Sequence, residues 1–290
     1  LKKDNKIKDL TKEYNSALEF FGIKSETIFT LRNYCHLLAV YLDQENEAIN
    51  ILENAIANKS LEKYDIAICK MELAKILISH GDIWESSLLY SQVEKEFKED
   101  IIGQQAKFEK IKINYYKGEF EWAQNQLKVL KLSTSKLIAN NAIKLSLLIS
   151  DNLNLDTTNL ALLSYAKSEL LFEQKKYTEC LNELNKLENT FQNHTLIDEV
   201  LLKKFDVFIK MKEYDNALTA LDKICQEYYY DILYDDALFY QARIYEDIIE
   251  DKKKAKEKYE ELLLKSPNSI FINKARKRYR LLRTNNLLKL

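Results

Sequence analysis

Glycine and proline are scarce in this sequence, with four glycines and one proline among 290 residues. Sheet proteins need many tight turns, and those turns depend on these two residue types. Disorder is also excluded, because 46% of the residues are hydrophobic and 31% are charged, a mixture typical of amphipathic helices. The composition therefore predicts an all-α protein with a packed core.

Long apolar runs are missing as well. No run reaches the roughly 18 residues that span a bilayer, and the opening segment, LKKDNKIKDL, lacks the apolar centre of a signal peptide. We expect the chain as given to be soluble. It does not begin with methionine, so we also expect a fragment or a processed chain from which a targeting segment is missing. The compartment is therefore open.

The motifs of phosphate binding, nucleophilic catalysis and zinc binding do not occur, since there is no G-x-x-x-x-G-K-[ST], G-x-G-x-x-G, G-x-S-x-G or H-E-x-x-H. Glutamate pairs such as Glu260 with Glu261 are expected on solvated helix faces. The four cysteines lie far apart without C-x-x-C spacing, so we expect small core residues at Cys35, Cys69, Cys180 and Cys225. We therefore expect a protein that is not an enzyme and has no catalytic, cofactor-binding or metal-binding residue.

The pattern between residues 235 and 267 predicts two amphipathic helices joined by a turn. Apolar residues recur at helical spacing in both halves, and a proline closes the second half. The positions concerned are Leu238, Ala242 and Tyr245 in the first helix and Ala255, Tyr259 and Leu262 in the second. One hairpin of this kind cannot bury its apolar faces alone, so further copies are expected along the chain.

This stretch resembles the tetratricopeptide repeat, whose period is about 34 residues and whose two helices carry W-x2-L-G-x2-Y and A-x3-F…P patterns. The second-helix pattern is matched by Ala255, Tyr259 and Pro267, and the first-helix positions are occupied by Leu238, Gln241, Ala242 and Tyr245. Gln241 is the clear departure. The resemblance implies a right-handed superhelix, an α-solenoid of stacked hairpins whose concave wall is lined by the first helices.

Equivalents of the second-helix alanine recur along the chain, at Ala17, Ala48, Ser87, Ala123, Cys180, Ala217 and Ala255. They predict about seven hairpins. The step from Ala123 to Cys180 is longer and predicts one extra helix over about Lys136–Ile149. Gly81 and Gly118 are expected in turns within hairpins. We divide the chain into repeats over 1–134, the extra helix and a junction over 135–157, repeats over 158–267 and a basic capping helix over 268–290.

The end of the chain is basic. Residues 265–290 contain eight lysines and arginines and no acidic residue, whereas the whole chain has a net charge of -1. Arg276, Arg280 and Arg283 recur at near i, i+4 spacing. A solvated cap and a docking site for an acidic protein or an anionic membrane are both open interpretations. The tail has few interleaved aromatic residues, which does not favour nucleic acid.

The run Tyr228, Tyr229 and Tyr230, with Tyr234 close behind it, is the strongest aromatic cluster. Aromatic residues anchor peptides and stack on bases. The favoured interpretation is nevertheless a loop packed over the junction between two hairpins.

Stacked hairpins predict a scaffold that binds a protein or a peptide in its concave groove and needs no cofactor. Because the family places groove residues on first helices, the resemblance implies a set of partner-binding residues. They are Lys203, Asp206, Lys210, Phe239, Arg243 and Glu246, to which the charge of the tail adds Arg276, Arg280 and Arg283.

The segments DDALFYQARIYE, KAKEKYEELL and SPNSIFINKARKRYRLLR carry a second likeness. Roughly the last 130 residues are similar to repeats of periplasmic, outer-membrane-associated proteins of Gram-negative bacteria, including the repeat lipoprotein of the β-barrel assembly machinery. This likeness implies a role in envelope assembly or secretion. Two alternatives stay open: a cytoplasmic regulator that binds peptide or nucleic acid, and the interaction module of an enzyme whose catalytic domain lies outside this chain.

Overall fold

The computed structural model describes residues 2–153 and 158–287, with side chains over 6–153 and 158–283. Within these ranges the chain forms fifteen α-helices and a short 3-10 turn at Ser25–Thr27, and no strand is present. The predicted all-α fold is confirmed. No helix within the described residues is both long enough and apolar enough to cross a bilayer.

The chain divides into two compact units, and unit 1 contains the first eight helices together with residues 173–175. These helices are α1 Lys2–Phe21, α2 Ile28–Tyr41, α3 Glu45–Ala57, α4 Lys63–His80, α5 Ile83–Glu96, α6 Ile101–Tyr116, α7 Phe120–Leu130 and α8 Lys136–Leu153. Each helix packs on the next, and α2 contacts α4, α4 contacts α6 and α6 contacts α8. The hairpins α2/α3, α4/α5 and α6/α7 are therefore stacked side by side.

Unit 2 contains the remaining seven helices, apart from Glu173 at the end of α9. They are α9 Leu160–Glu173, α10 Tyr177–Thr190, α11 Ile197–Met211, α12 Tyr214–Glu227, α13 Tyr234–Asp247, α14 Lys252–Lys265 and α15 Ile272–Leu287. From α10 onward each helix packs on the next. The α9/α10 pair is joined by a hydrogen bond from Cys180 Sγ to the Ser168 carbonyl, at 3.1 Å. Three further hairpins result, α9/α10, α11/α12 and α13/α14, with α15 as a last helix.

One backbone conformation marks the period of the chain. The turn inside every hairpin contains a residue with a positive φ, namely Asp43 (54°), Gly81 (111°), Gly118 (82°), Lys175 (57°), Lys212 (63°) and Glu250 (63°). A left-handed residue ends a helix by redirecting the chain while the last carbonyls are still bonded. These positions lie 37 or 38 residues apart, except for the step of 57 that includes α8. The predicted turns at Gly81 and Gly118 and the extra helix are confirmed.

The second helices bury a repeated triplet of residues. Its first member lies five residues after the left-handed position, and the others follow four and seven residues later. The triplets are Ala48–Leu52–Ala55, Ser86–Tyr90–Val93, Ala123–Leu127–Leu130, Cys180–Leu184–Leu187, Ala217–Leu221–Ile224 and Ala255–Tyr259–Leu262, all buried. A small residue in first place lets the two backbones of a hairpin approach, and the larger residues fill the space beside them.

Two positions of the predicted period are wrong. In α5 the buried pair is Ser86 and Tyr90, whereas Ser87 is partly exposed. In α1 Ala17 is partly exposed, and the residues that face the core are Thr11 and Leu18. In both helices the predicted small residue lies one position away from a buried residue, because residue size alone does not identify which face of a helix is buried.

The extra helix α8 begins at the predicted Lys136 and continues to Leu153. It takes the place of a first helix after α7 and is held there by two hydrogen bonds between Gln124 and Ser146. The amide of Gln124 donates to the Ser146 carbonyl at 2.8 Å, and the Ser146 hydroxyl donates back to Gln124 Oε1 at 2.5 Å. The predicted junction includes residues 154–157, which lie outside the described residues, so the boundaries drawn from the sequence stay predictions.

The four cysteines are free thiols, and only Cys225 is partly accessible. Burial raises the pKa of each thiol, because the apolar surroundings disfavour the thiolate. Their burial agrees with the expectation of small core residues. Within the described residues, no group of three or more histidine, cysteine, aspartate or glutamate side chains is placed to hold a metal ion.

Candidate ligand-binding surfaces

A groove of about 600 Å³ lies along the first helices of unit 1. Apolar side chains from all three helices contribute to its wall, namely Phe29 of α2, Tyr64 of α4 and Ile101 of α6. Phe29 and Ile101 are more than half exposed, at 54% and 60%. Concave sites lined by apolar groups with a few polar ones are the usual form of ligand sites.

The three carboxylates that line this groove each have a partner within the described residues. Glu72 lies 2.8 Å from His36 Nδ1, and the Lys112 ammonium lies 3.4 Å from Glu109 and 3.6 Å from Glu173. Arg32 bonds Asn33 Oδ1 at 2.8 Å and lies over the ring of Phe29, 5.5 Å from its centre. In the part of the chain that the structure describes, Arg32 and the exposed Lys75 make no ion pair. A carboxylate of a ligand would be a suitable counter-charge for both.

The residues predicted on α11 are placed on one accessible face. Lys203 is held by an ion pair with Glu169 at 3.2 Å and lies over the ring of Phe172. Asp206 is half-exposed with its carboxylate 4.0 Å from Lys203. Lys210 is exposed near the end of the helix. The face is open to a ligand, but Lys203 would have to exchange an internal partner for an external one.

The residues predicted on α13 are mostly engaged within unit 2. Phe239 is only 5% exposed, because the ring of Phe271 stacks on it at 4.3 Å. A partner could reach Phe239 only if this packing opened. Arg243 is exposed and paired with Asp247. Glu246 accepts a hydrogen bond from the Tyr259 hydroxyl at 2.8 Å and pairs with Arg278 at 3.1 Å.

A hydrogen bond accounts for the glutamine at position 241, where the repeat pattern has an apolar residue. It is fully buried, and its amide nitrogen donates to Asp222 Oδ1 at 2.7 Å, which ties α13 to α12. This bond satisfies the amide nitrogen, whereas Gln241 Oε1 is buried without a hydrogen-bond partner among the described residues. The polar residue therefore takes the place of an apolar one by exchanging packing for a directed contact between two hairpins.

The end of the chain presents the predicted basic stripe. Ala275 and Leu282 of α15 face the core, whereas Arg276, Arg280 and Arg283 are exposed on other sides of the helix. Arg276 and Arg280 lie on a shallow depression of about 570 Å³, together with Leu281. Arg278 does not belong to this stripe, because it turns back to Glu246 and Asp247.

Comparison with known proteins supports the repeat assignment for one hairpin. Residues 236–269 match the family model described as tetratricopeptide repeat. This match covers α13, α14 and the turn that follows, the stretch where the resemblance was found. No curated protein sequence matches the chain.

Solved structures of repeat proteins are similar over most of the chain. A tetratricopeptide repeat protein from Parabacteroides merdae is 11% identical, with a TM-score of 0.38, covering 97% of this chain and 96% of that one. PilF of Pseudomonas aeruginosa is 15% identical, with a TM-score of 0.33, and the similarity covers 89% of this chain and 99% of that one. A chain in the structure of the APC/C hetero-tetramer Cut9–Hcn1 is 14% identical, with a TM-score of 0.36. The similarity covers 96% of this chain and 46% of that chain. Such low identities transfer no function.

The groove of unit 1 was missed by the sequence-based prediction, which chose residues on α11, α13 and α15. Arg32 and Lys75 occur on helices that the period identifies as first helices, so their location was predictable. Their lack of an ion pair was not, because it depends on which carboxylates lie within reach after folding.

Proposed function

We infer that the chain is a non-catalytic scaffold that holds a segment of another protein in the groove of unit 1. The observation that carries this proposal is the pair Arg32 and Lys75, which lack ion-pair partners among the described residues and stand beside exposed apolar side chains. Tetratricopeptide repeats generally bind protein partners, and the hairpin architecture supports the same role.

The groove suggests the chemistry of its ligand. The groove carboxylates are engaged, Glu72 by the His36 imidazole and Glu109 and Glu173 by the Lys112 ammonium, so a basic ligand would have to compete with these contacts. An extended segment carrying one or two carboxylates could pair with Arg32 and Lys75. Its apolar side chains would bury the exposed faces of Phe29 and Ile101.

The basic stripe of α15 is a second candidate contact. Arg276, Arg280 and Arg283 are exposed, which supports docking on an acidic protein or on an anionic membrane surface. The predicted residues of α11 and α13 extend this proposal. Lys203, Asp206 and Lys210 would contact a peptide on α11, and Arg243 and Glu246 would do so on α13 after exchanging their present partners. Phe239 would take part only after unpacking from Phe271.

The cellular role rests on the sequence likeness alone. We propose a function in envelope assembly or secretion at the periplasmic side of the outer membrane of a Gram-negative bacterium. A cytoplasmic regulator that binds peptide or nucleic acid, or a module attached to a catalytic domain, is the alternative. Fractionation of cells expressing the full-length protein would separate these, because a periplasmic protein is released with the periplasmic contents and a cytoplasmic one is not.

The groove is tested by affinity capture with mass spectrometry on the immobilised chain. We compare the wild-type chain with the double variant Arg32→Glu/Lys75→Glu. The matched control is Lys59→Glu/Lys95→Glu, which reverses two exposed lysines outside the groove and leaves the same net charge change. Loss of a buried charge-assisted contact weakens binding roughly tenfold or more. A partner lost from the groove variant and kept by the control supports the proposal, and equal capture by all three chains contradicts it.

A further inference from the structure

Unit 2 exposes a compact group of large side chains on the loop between α12 and α13. Tyr229, Tyr230 and Ile232 are 65%, 71% and 80% exposed, and the two tyrosine rings contact each other edge to face at 5.4 Å. Only Tyr234 of the predicted aromatic cluster is buried. The expected packing of this loop over the hairpin junction is therefore wrong for Tyr229 and Tyr230. Contiguous exposed apolar side chains mark interaction sites.

Two of these side chains, Tyr229 and Ile232, border a depression of about 760 Å³. One wall is formed by Tyr229, Ile232 and Tyr234, and the other by residues 265–269 at the end of α14 and in the turn after it. Asp231 and Asp235 also contribute to the lining. We call Tyr229, Tyr230, Asp231, Ile232 and Asp235 together the acid-aromatic surface.

The acid-aromatic surface carries negative charge without an internal counter-charge. Neither Asp231 nor Asp235 forms an ion pair within the described residues. Lys265 lines the same depression, but its ammonium is bonded to Glu261 at 2.8 Å. Burial and the nearby Asp198 raise the pKa of Asp231, so its charged form is disfavoured as long as no cation approaches.

The chain itself contains a surface of opposite charge and similar character. Arg276 and Arg280 of the basic stripe flank Leu281, which is 47% exposed, on the open side of α15. The turn that lines the depression is followed directly by α15, and Ile270 in that turn is 82% exposed. Two surfaces of opposite charge on one unit can each meet the other in a second copy related by a twofold axis, so that the same contact forms twice.

We propose that the protein forms a twofold dimer in which the basic stripe of α15 in each copy binds the acid-aromatic surface of the other. Arginine guanidinium groups would pair with Asp231 and Asp235 and stack on Tyr229 and Tyr230, which is the kind of contact that arginine makes at interfaces. The dimer rests on the proposed docking role of the basic stripe, and it identifies the acidic protein surface that the stripe would bind as that of a second copy. It is independent of the groove in unit 1.

Charge reversal with mixing tests this arrangement. One variant carries Asp231→Arg/Asp235→Arg and the other Arg276→Glu/Arg280→Glu, and each is studied as the full chain by sedimentation equilibrium at low and at high salt. The wild type is expected to dimerise, with a dissociation constant that rises at high salt because exposed charges are screened. Each variant alone should be monomeric. An equal mixture should form a heterodimer, since both contacts then join opposite charges again.

Two further variants separate loss of the dimer contact from loss of folding. Tyr229→Ser/Ile232→Ser removes exposed apolar groups and should weaken the dimer at least about tenfold while circular dichroism and the melting temperature stay unchanged. Glu179→Arg/Glu257→Arg reverses two exposed carboxylates elsewhere in unit 2 and should dimerise like the wild type.

A wild-type chain that stays monomeric at low salt overturns the dimer. A dimer that survives both charge reversals, or a mixture that fails to restore it, also overturns the proposal. Sedimentation of the wild type with phosphatidylserine vesicles separates this failure from that of the proposed function. A monomer that binds these vesicles through Arg276 and Arg280 refutes the dimer and leaves the docking role of the stripe intact.

Discussion

Replacing Glu199 by glutamine should make unit 2 less sensitive to pH. Glu199 lies in the first turn of α11, and one of its carboxylate oxygens is buried without a hydrogen-bond partner. Burial, followed by the hydrogen bond to Asp198 and its charge, raises the pKa of Glu199 from the ordinary 4.5 to about 9. The side chain therefore keeps its proton at neutral pH and donates it to Asp198.

The sign of the effect follows from proton counting. Between the ordinary pKa and the raised one, the folded chain holds a proton on Glu199 that the unfolded chain releases. The free energy of unfolding consequently falls as pH rises through this window, by up to about 1.4 kcal/mol per pH unit. From about pH 5 to about pH 7, the loss attributable to Glu199 is about 2.5 kcal/mol. Glutamine has a similar shape, donates an N–H to Asp198 and does not titrate.

Urea unfolding followed by circular dichroism at several pH values measures this difference. Near pH 5 the wild type and Glu199→Gln should be about equally stable, and near pH 7 the variant should be more stable by about 2.5 kcal/mol. Glu179→Gln, an exposed carboxylate on α10, is the control and should follow the wild-type curve. Parallel curves for wild type and Glu199→Gln would refute the assignment of a bound proton to this pair.

Three further substitutions test the packing of the hairpins, each by its effect on urea unfolding. Lys212→Gly should raise the free energy of unfolding by about 0.5 to 1 kcal/mol, because φ of Lys212 is 63° and glycine adopts this conformation without strain. The control Lys210→Gly, within α11, should lower the free energy of unfolding. Gly103→Ala should lower it by about 2 kcal/mol, because the added Cβ would lie 1.9 Å from the Phe97 carbonyl oxygen. Ala255→Leu should cost about 1 to 3 kcal/mol, since the buried alanine faces its partner helix; an unchanged stability in either of these last two variants would contradict the packing described.

The period of the chain could be predicted because each hairpin repeats the same buried triplet. The fold class and the extra helix both follow from this spacing. The register failed only in α1 and α5, where small residues occur side by side or more than once. The left-handed turn residue would have fixed the register, but four of its six occurrences are lysine, aspartate or glutamate rather than glycine. A residue type that ordinarily avoids this conformation gives no signal in the sequence.

The candidate sites were harder to predict than the fold. The exposure of Arg276, Arg280 and Arg283 follows from their spacing, because the opposite face of α15 carries Ala275 and Leu282. The burial of Phe239 does not, since it depends on Phe271 folding back from the turn after α14 to stack on it. A helical pattern identifies which residues share a face. It does not identify what another segment places on that face.

The availability of a charged residue for binding depends on its neighbours more than on its position. Lys204 lies between helices and is buried against Glu188, a carboxylate that also bonds Lys223 at 2.6 Å. These contacts lower the pKa of Glu188 although burial alone would raise it, so the cluster is held charged inside unit 2. The side chains in such clusters hold neighbouring helices together. If one of them paired with a ligand instead, its buried partner would be left without a counter-charge. Among the residues that the structure describes, Arg32, Lys75, Asp231 and Asp235 have no ion-pair partner. For that reason they, rather than the many paired charges on the same helices, are where partner binding should be sought.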